Sequence, residues 1–106
     1  MSKENRAAIY CRLACANDDR IAKQKAILQN YAEMKGYTKI SVYEDNGVGG
    51  LDYDRPALSR LEADIQAGSI DVVIVQSIDR IGRNDIKTIE WITGILQKGV
   101  KFVSLS

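Results

Sequence analysis

The sequence predicts an α/β domain with a mostly parallel sheet of four to five strands and helices on both faces. Three observations lead to this prediction: short apolar runs alternate with longer amphipathic segments, one run reads VVIV, and glycines close the helical segments. A strand of apolar residues alone is typical of a parallel sheet that is covered on both faces. Alternating strands and helices then imply right-handed crossovers.

The first half of the chain supplies two predicted strands and one predicted helix. In chain order these are a strand over 7–11, a loop over 13–19, a helix over 20–35 and a strand over 38–44. The run AAIYC is short and apolar, so the first strand is expected at the centre of the sheet. The helix is predicted because Leu28, Tyr31, Ala32 and Lys35 are spaced for one face, and Gly36 is suited to end it.

The second half repeats the pattern after a glycine-rich loop. Its predicted elements are a loop over 45–50, a helix from Pro56, a strand over 72–75, a helix over 85–98 and a strand over 100–105. Proline suits the first turn of a helix, and Leu58, Leu61 and Ile65 give this helix an apolar stripe. Glycines dominate the segment 46–53, which we therefore expect to be mobile.

The helix predicted over 85–98 is apolar on more than one side. Ile89, Ile92 and Leu96 are predicted to form its core stripe, and Trp91 and Ile95 widen the apolar arc beyond the ~100° that one sheet face requires. Two interpretations stay open. The helix is deeply buried, or it presents a protein–protein surface that another helix or a partner subunit covers.

Composition narrows the function classes. Lys and Arg total 15 against 14 for Asp and Glu, so phosphate binding would need a local cluster of positive charge.

The sequence contains two cysteines, Cys11 and Cys15, and no histidine. This predicts reduced thiols, with neither a disulfide framework nor a metal site. No cofactor is expected. Without a visible signal peptide or an apolar run near ~18 residues, we expect a cytoplasmic protein.

Four arginines follow or flank the predicted strands and loops, namely Arg12, Arg55, Arg80 and Arg83. Ligand sites of parallel α/β sheets lie beyond the carboxyl ends of the strands, where Arg12, Asp45 and segment 77–83 are expected to converge. Arginine binds phosphate through a planar, permanently charged fork. Asp79 could orient Arg80 or relay a proton. The alternative is that these are ordinary solvated arginines.

Five motifs, in order from about Ala7 to Ser106, resemble those of serine site-specific recombinases of the resolvase and invertase type. They are YCRL at 10–13, similar to Y-x-R-(V/L)-S; Gln24, similar to a helix glutamine; DNGVGG at 45–50, similar to D-x-G-x-S-G; DRP at 54–56; and DRIGRN at 79–84. Each motif alone is weak, but five in register are specific. The resemblance implies a resolvase-like catalytic domain with flavodoxin-like layering, of the large conjugative-transposon or phage type.

The resemblance implies a metal-independent transesterification on DNA. In this family a serine attacks a phosphodiester, leaving a 5′-phosphoserine bond and a free 3′-hydroxyl, and the attack then reverses. Carried over, Arg12, Arg80 and Arg83 would cradle the scissile phosphate and Arg55 would add a positive contact. Asp79 would orient the arginines or serve the leaving oxygen. Gln24 and Asp45 would hold the helix and the loop in place.

Three positions depart from the family pattern. Ala14 stands where the nucleophilic serine belongs, Gly49 stands where the loop usually has serine, and Gln76 replaces a frequent lysine. A methyl group cannot attack phosphorus, so we expect the chain to be inactive as written. Two altered serine positions favour natural decay over a single engineered knockout. Cys15 is either a replacement nucleophile one residue away or a packed, idle thiol.

Several interpretations of function remain open at this stage. The first is a recombinase catalytic domain over 1–106, from a mobile element or prophage, that acts in DNA recombination or integration on a DNA crossover site. Such a protein would work as a homodimer or tetramer, through a dimerisation helix and a DNA-binding region expected beyond the last strand and absent here. The second is a regulatory or assembly domain that keeps the fold without catalysis, and the third is an unrelated flavodoxin-like ligand-binding domain.

Overall fold

A computed structural model of the chain describes residues 6–48, 55–82 and 85–106. Its elements are β1 (Arg6–Leu13), α1 (Asp18–Met34), β2 (Lys39–Asn46), α2 (Pro56–Gln66), β3 (Val72–Val75), a 3-10 turn (Ile78–Arg80), α3 (Ile86–Gln97) and β4 (Lys101–Ser104). Within these ranges, no helix has the length and the apolar character to cross a membrane.

The described strands form one parallel sheet in the order β2-β1-β3-β4, which confirms the predicted fold class. The strand β1 is central. It pairs with β2 from Arg6 opposite Lys39 to Leu13 opposite Asn46, and with β3 from Ala7 opposite Val72 to Ile9 opposite Ile74. The carboxyl ends of β1, β2 and β3 consequently meet at one edge of the sheet.

Alternation along β1 and β3 builds a core on each face. Ile9 and Val72 face the α1 side, whereas Tyr10 and Val73 face the side of α2 and α3. All four β3 residues are fully buried, as the run VVIV predicts. The sheet is thus covered on both faces, as expected for parallel strands.

The helix α1 begins two residues before its predicted start. Asn17 is its N-cap, and the Asn17 side chain accepts a hydrogen bond from the backbone N–H of Arg20 at 2.9 Å. Two acidic residues, Asp18 and Asp19, occupy the first turn, where the helix dipole favours negative charge. The helix ends before Gly36, whose φ of 87° is a conformation that glycine adopts at little cost.

The buried face of α1 differs from the predicted face at one residue. Leu28 and Ala32 are buried and Tyr31 packs against them, but Lys35 is exposed as the C-cap. In α2, by contrast, the helix starts at Pro56 and buries Leu58, Leu61 and Ile65 as predicted.

The predicted core stripe of α3 is wrong. Ile89 and Leu96 are 56% and 52% exposed and Ile92 is half-buried, whereas Ile95 is buried and Trp91 packs against the core. Apolar residues surround most of this helix, so their spacing does not select a face. The buried Thr88, whose N–H donates to Asp85 at 3.1 Å, shares the inward side of the helix with Trp91 and Ile95, about 100° from the predicted stripe. The deeply buried interpretation is therefore wrong as well.

Several sequence predictions, among them those for Gly49, Asp54 and Arg83, fall outside the described residues. The segment 46–53, predicted to be mobile, is described only as far as Val48. Asn84, the last residue of the DRIGRN motif, also lies outside the described residues.

Candidate functional site

The candidate site lies at the edge of the sheet where β1, β2 and β3 end. Arg12 of β1 is the register partner of Asp45 of β2. The 3-10 turn Ile78–Arg80 follows β3 at the same edge and carries Asp79 and Arg80. Three separate strands therefore deliver the predicted site residues to one place.

Arg12 is only 5% exposed, and its guanidinium is directed into the protein. Its Nε donates to the carbonyl oxygen of Arg80 at 2.9 Å, and its Nη1 donates to that of Val48 at 3.0 Å. Its Nη2 donates to the carbonyl oxygen of Asp79. Burial lowers the pKa of Arg12, and the neighbouring charge of Arg55 lowers it further. These acceptors are neutral carbonyls, so they leave the positive charge uncancelled.

Arg55, which directly precedes α2, binds the same turn from another direction. Its Nη2 donates to the Arg80 carbonyl oxygen, which therefore accepts hydrogen bonds from both Arg12 and Arg55. Its Nη1 donates to the carbonyl oxygen of Ile81. Its Nε and Nη2 also lie 3.3 and 2.9 Å from the Tyr10 hydroxyl oxygen, to which they donate.

Asp45 joins this cluster to the start of α2. Its Oδ1 accepts from the N–H of Ala57 at 2.9 Å, and its Oδ2 accepts from the N–H of Leu58 at 3.1 Å. The Tyr10 hydroxyl donates to Oδ2 at 2.7 Å. Burial raises the pKa of Tyr10, and the bond to Asp45 acts in the same direction, so the phenol stays neutral at ordinary pH.

Gln24 ties α1 to the strand that carries Arg12. Its Oε1 accepts from the backbone N–H of Arg12 at 3.1 Å, and its Nε2 donates to the carbonyl oxygen of the same residue at 3.5 Å. The side chain is 4% exposed. Gln24 therefore supports the end of β1 from the opposite face of the sheet.

Arg80 and Asp79 are the more accessible members of the cluster. Asp79 is exposed and its Oδ1 accepts a hydrogen bond from the Ser77 hydroxyl. Arg80 is half-buried, and its Nε is a buried donor with no hydrogen-bond partner among the described residues. An unsatisfied buried donor is costly, and it marks Arg80 as the arginine with capacity for a further acceptor.

Ala14 and Cys15 are exposed in the short segment between β1 and α1. The segment is held from the β2 side, because the N–H groups of Gly47 and Val48 both donate to the Leu13 carbonyl oxygen at 2.8 Å. Cys11 is different, since it is buried within β1. Burial, with the charge of Glu44, raises the pKa of the Cys11 thiol to about 12.

The structure brings together Arg12, Arg55, Asp45 and the turn with Asp79 and Arg80, while two predicted site residues, Arg83 and Gly49, lie outside the described residues. Sequence reasoning missed the role of Tyr10. Strand periodicity could have found it, because residues two apart in a strand share a face and Tyr10 precedes Arg12 by two. The described residues contain no group of three or more His, Cys, Asp or Glu side chains that could hold a metal ion.

Comparison with known sequences assigns the chain to a family. A family profile described as "Resolvase, N terminal domain" matches residues 7–106. A protein named "Resolvase" from Escherichia coli is 32% identical over 96 residues, which cover 90% of this chain and 42% of that protein. The chain thus spans less than half the length of this relative.

Solved structures share the fold. The N-terminal catalytic domain of TP901-1 integrase is 31% identical with a TM-score of 0.85, covering 94% of this chain and 77% of that one. The C-terminal catalytic domain of ISC1926 TnpA, an IS607-like serine recombinase, is 30% identical with a TM-score of 0.85, covering 95% and 67%. A resolvase family site-specific recombinase from Streptococcus pneumoniae, 22% identical with a TM-score of 0.79, covers 94% and 71% and supports the fold alone.

Proposed function

Since this chain belongs to the resolvase family and is a catalytic domain of the serine recombinase type, we propose that it binds the scissile phosphodiester of a DNA crossover site and is inactive as written. The supporting observation is the turn with Asp79 and Arg80, which Arg12 and Arg55 hold at the carboxyl edge of the sheet. Among the described residues, the guanidinium groups of Arg12 and Arg55 donate to carbonyl and hydroxyl oxygens rather than to carboxylates, which favours an anionic ligand nearby.

The proposed ligands of the phosphate are Arg12, Arg80 and Arg83. Positive charge at this edge would stabilise the phosphoryl oxygens as negative charge develops on them in the transition state. Among the described residues, the Arg12 guanidinium uses three of its five N–H groups, which leaves two for a phosphate, and the Arg80 Nε has no acceptor. Asp79 would orient the arginines or serve the leaving 3′-oxygen, while Gln24 and Asp45 support the strand and helix that carry the site.

The missing step is the attack on phosphorus. Ala14 has no lone pair, and no His is available in the sequence to activate water instead. In an Ala14→Ser variant, the hydroxyl would lose its proton as its oxygen bonds to phosphorus. The bond from phosphorus to the 3′-oxygen would break, and that oxygen would gain a proton, so the proton count is unchanged. Removal of a nucleophile costs about a million-fold in turnover in a well-studied protease, and we expect a loss of that order from Ala14.

The proposal includes partners beyond this domain. We expect the DNA backbone as ligand, a homodimer or tetramer as the working form, and the cytoplasm as the site of action. The two solved relatives with 31% and 30% identity described above are catalytic domains, which favours this proposal over a regulatory or assembly domain.

Covalent trapping tests the proposal. The longest protein that the gene encodes is incubated with nicked crossover-site DNA, and protein–DNA adducts are separated on a denaturing gel. The unmodified protein should give no adduct, and Ala14→Ser should give one that strengthens when Gly49→Ser is added. Adding Arg80→Gln to the Ala14→Ser protein should remove it.

Two outcomes would overturn the proposal in different ways. An adduct from the unmodified protein would show that it is active, and its loss in Cys15→Ala would identify the thiol as nucleophile. The continued absence of an adduct with both serines restored would place the defect outside the nucleophile and favour a regulatory domain.

A further inference from the structure

Arg55 lies at the candidate site, but its guanidinium faces the protein rather than the solvent. The side chain is 7% exposed and lies against Tyr10, whose ring centroid is 5.5 Å from the guanidinium carbon. We propose that Arg55 is a positioning residue that never contacts the phosphate and that fixes the backbone of Arg80 through main-chain carbonyls. This inference rests on the proposed function, because it assumes that Arg80 receives the phosphate.

The donors of Arg55 are nearly all in use. Of the five N–H groups of a guanidinium, Nε and one on Nη2 serve the Tyr10 hydroxyl, a second on Nη2 serves the Arg80 carbonyl, and one on Nη1 serves the Ile81 carbonyl. One N–H remains. A phosphate bound in the bidentate manner typical of arginine needs two N–H groups in parallel, so Arg55 would first have to release either the turn or the Tyr10 hydroxyl.

The effect of Arg55 on Arg80 passes through the peptide that links Arg80 to Ile81. The carbonyl of that peptide accepts from Arg55 and from Arg12, and the next carbonyl accepts from Arg55. Fixing these two carbonyls fixes the backbone torsions of the turn and hence the direction in which the Arg80 side chain leaves it. Preorganisation of this kind strengthens binding by removing the entropy cost of ordering the ligand-binding group.

The far end of the Arg55 contact network is also fixed. The Tyr10 hydroxyl that accepts from Arg55 donates to Asp45, whose carboxylate binds the first turn of α2, directly after Arg55 itself. Arg55 is therefore held at its backbone and at its side chain. Lysine carries the same charge but has no planar fork, so it could not hold two carbonyls and a hydroxyl in this arrangement.

The direct test follows each arginine separately by NMR. The chain is labelled with ¹⁵N-arginine, the Nε–Hε signals are assigned by single Arg→Lys substitutions, and inorganic phosphate is added against sodium chloride at equal ionic strength. The Arg80 signal should shift along a saturable curve. The Arg55 signal should stay in place, with slow hydrogen exchange at every phosphate concentration.

Two Arg55 variants then separate positioning from charge. Arg55→Lys keeps the positive charge and loses the fork, whereas Arg55→Gln loses both. If Arg55 positions Arg80, both variants should weaken phosphate binding at the Arg80 signal by about ten-fold. Arg6→Lys is the matched control, because Arg6 forms an ion pair with Asp71 at the opposite end of β1. It should leave phosphate binding unchanged.

The outcomes distinguish this inference from the proposed function. A saturable shift of the Arg55 signal, or phosphate binding that survives Arg55→Lys and fails only in Arg55→Gln, would overturn the positioning role while leaving a phosphate site. If no arginine signal shifted with phosphate, the proposed function would fail, and the positioning role with it. Even if an Arg55 variant does not fold, the phosphate titration of the unmodified chain still shows whether the Arg55 signal shifts, and therefore whether Arg55 contacts the phosphate.

Discussion

Gly82 is a residue of the DRIGRN motif whose lack of a side chain has a steric reason. A Cβ built on Gly82 would lie 2.9 Å from Oγ1 of Thr88, which is buried and hydrogen-bonded to Asp85 at 3.2 Å. No real Cβ approaches a fixed oxygen so closely without displacement. The turn can therefore approach α3 only because residue 82 has no Cβ.

Gly82→Ala should destabilise the fold by about 1–3 kcal/mol, the usual cost of overpacking. The same change at Gly94 in α3 is the control, since a Cβ there meets nothing within 4 Å, and removing a glycine from a helix should stabilise by up to about 1 kcal/mol. Urea unfolding of both variants measures the difference. Equal effects of the two substitutions would contradict the steric explanation.

At the same scale, the sequence predicted which residues gather at the site but not what they bind. Arg12, Asp45 and Arg80 could be placed from strand order and motif spacing. Apart from the Tyr10 hydroxyl, the acceptors of Arg12 and Arg55 are main-chain carbonyls of residues 48 and 79–81. Every residue has such a carbonyl, so no residue type in the sequence marks it as an acceptor.

At the scale of elements, the start of α2 depends on a carboxylate from another strand. Arg55, the N-cap residue, makes no side-chain capping bond, and Asp45 instead accepts from Ala57 and Leu58. Asp45→Ala would leave two backbone N–H groups and the Tyr10 hydroxyl without their acceptor. We expect a loss of about 3 kcal/mol or more, because each unsatisfied buried donor costs about 1–3 kcal/mol.

The N-cap of α1 gives the comparison for this prediction. Asn17 is exposed and its cap is local, so Asn17→Ala should cost only about 1 kcal/mol. Chemical denaturation at neutral pH measures both variants. An Asp45→Ala loss no larger than that of Asn17→Ala would contradict the assignment of Asp45 as a buried, three-partner acceptor.

Element boundaries and faces show where sequence reasoning succeeds and fails. The stripe of α2 was predictable because polar residues separate Leu58, Leu61 and Ile65. In α3, apolar residues occupy several faces, and neighbouring elements decide which one is buried. The Trp91 indole, for instance, donates to Glu62 of α2 at 2.7 Å, a contact that spacing within α3 cannot reveal.

At the scale of the whole molecule, a buried phenol and a buried thiol make the free energy of unfolding depend on pH in the alkaline range. Burial and the bond to Asp64 raise the pKa of Tyr43 to about 12 from its ordinary value of 10, and burial raises that of Cys11 to about 12 from 9. In both cases the folded state favours the neutral form. Their contribution to stability is complete below pH 9 and is lost as the pH rises towards 12.

We therefore expect the urea midpoint to fall steadily between pH 9 and pH 12. Tyr43→Phe should fall less steeply above pH 10, because a phenylalanine has no proton to lose. Circular dichroism during urea titration at a series of pH values gives both curves. Parallel curves for the two proteins would show that Tyr43 does not contribute to this pH dependence.

The overall fold was predictable because it depends on composition over whole segments rather than on single contacts. A fully apolar β3 requires cover on both faces, and one helix between successive strands requires crossovers. The order of the strands in the sheet is harder to predict, since the residues of β1 do not indicate that β2 and β3 are its two neighbours.

The central position of β1 also has a consequence during synthesis. Residues 6–13 are made before β3, and the side of β1 that faces β3 stays unpaired until Val72 to Val75 have been made. At about 5–20 residues per second, the delay amounts to several seconds. Throughout that time a mostly apolar strand lacks its hydrogen-bonding partners on one side, so we expect the nascent chain to be prone to aggregation until β3 has been made.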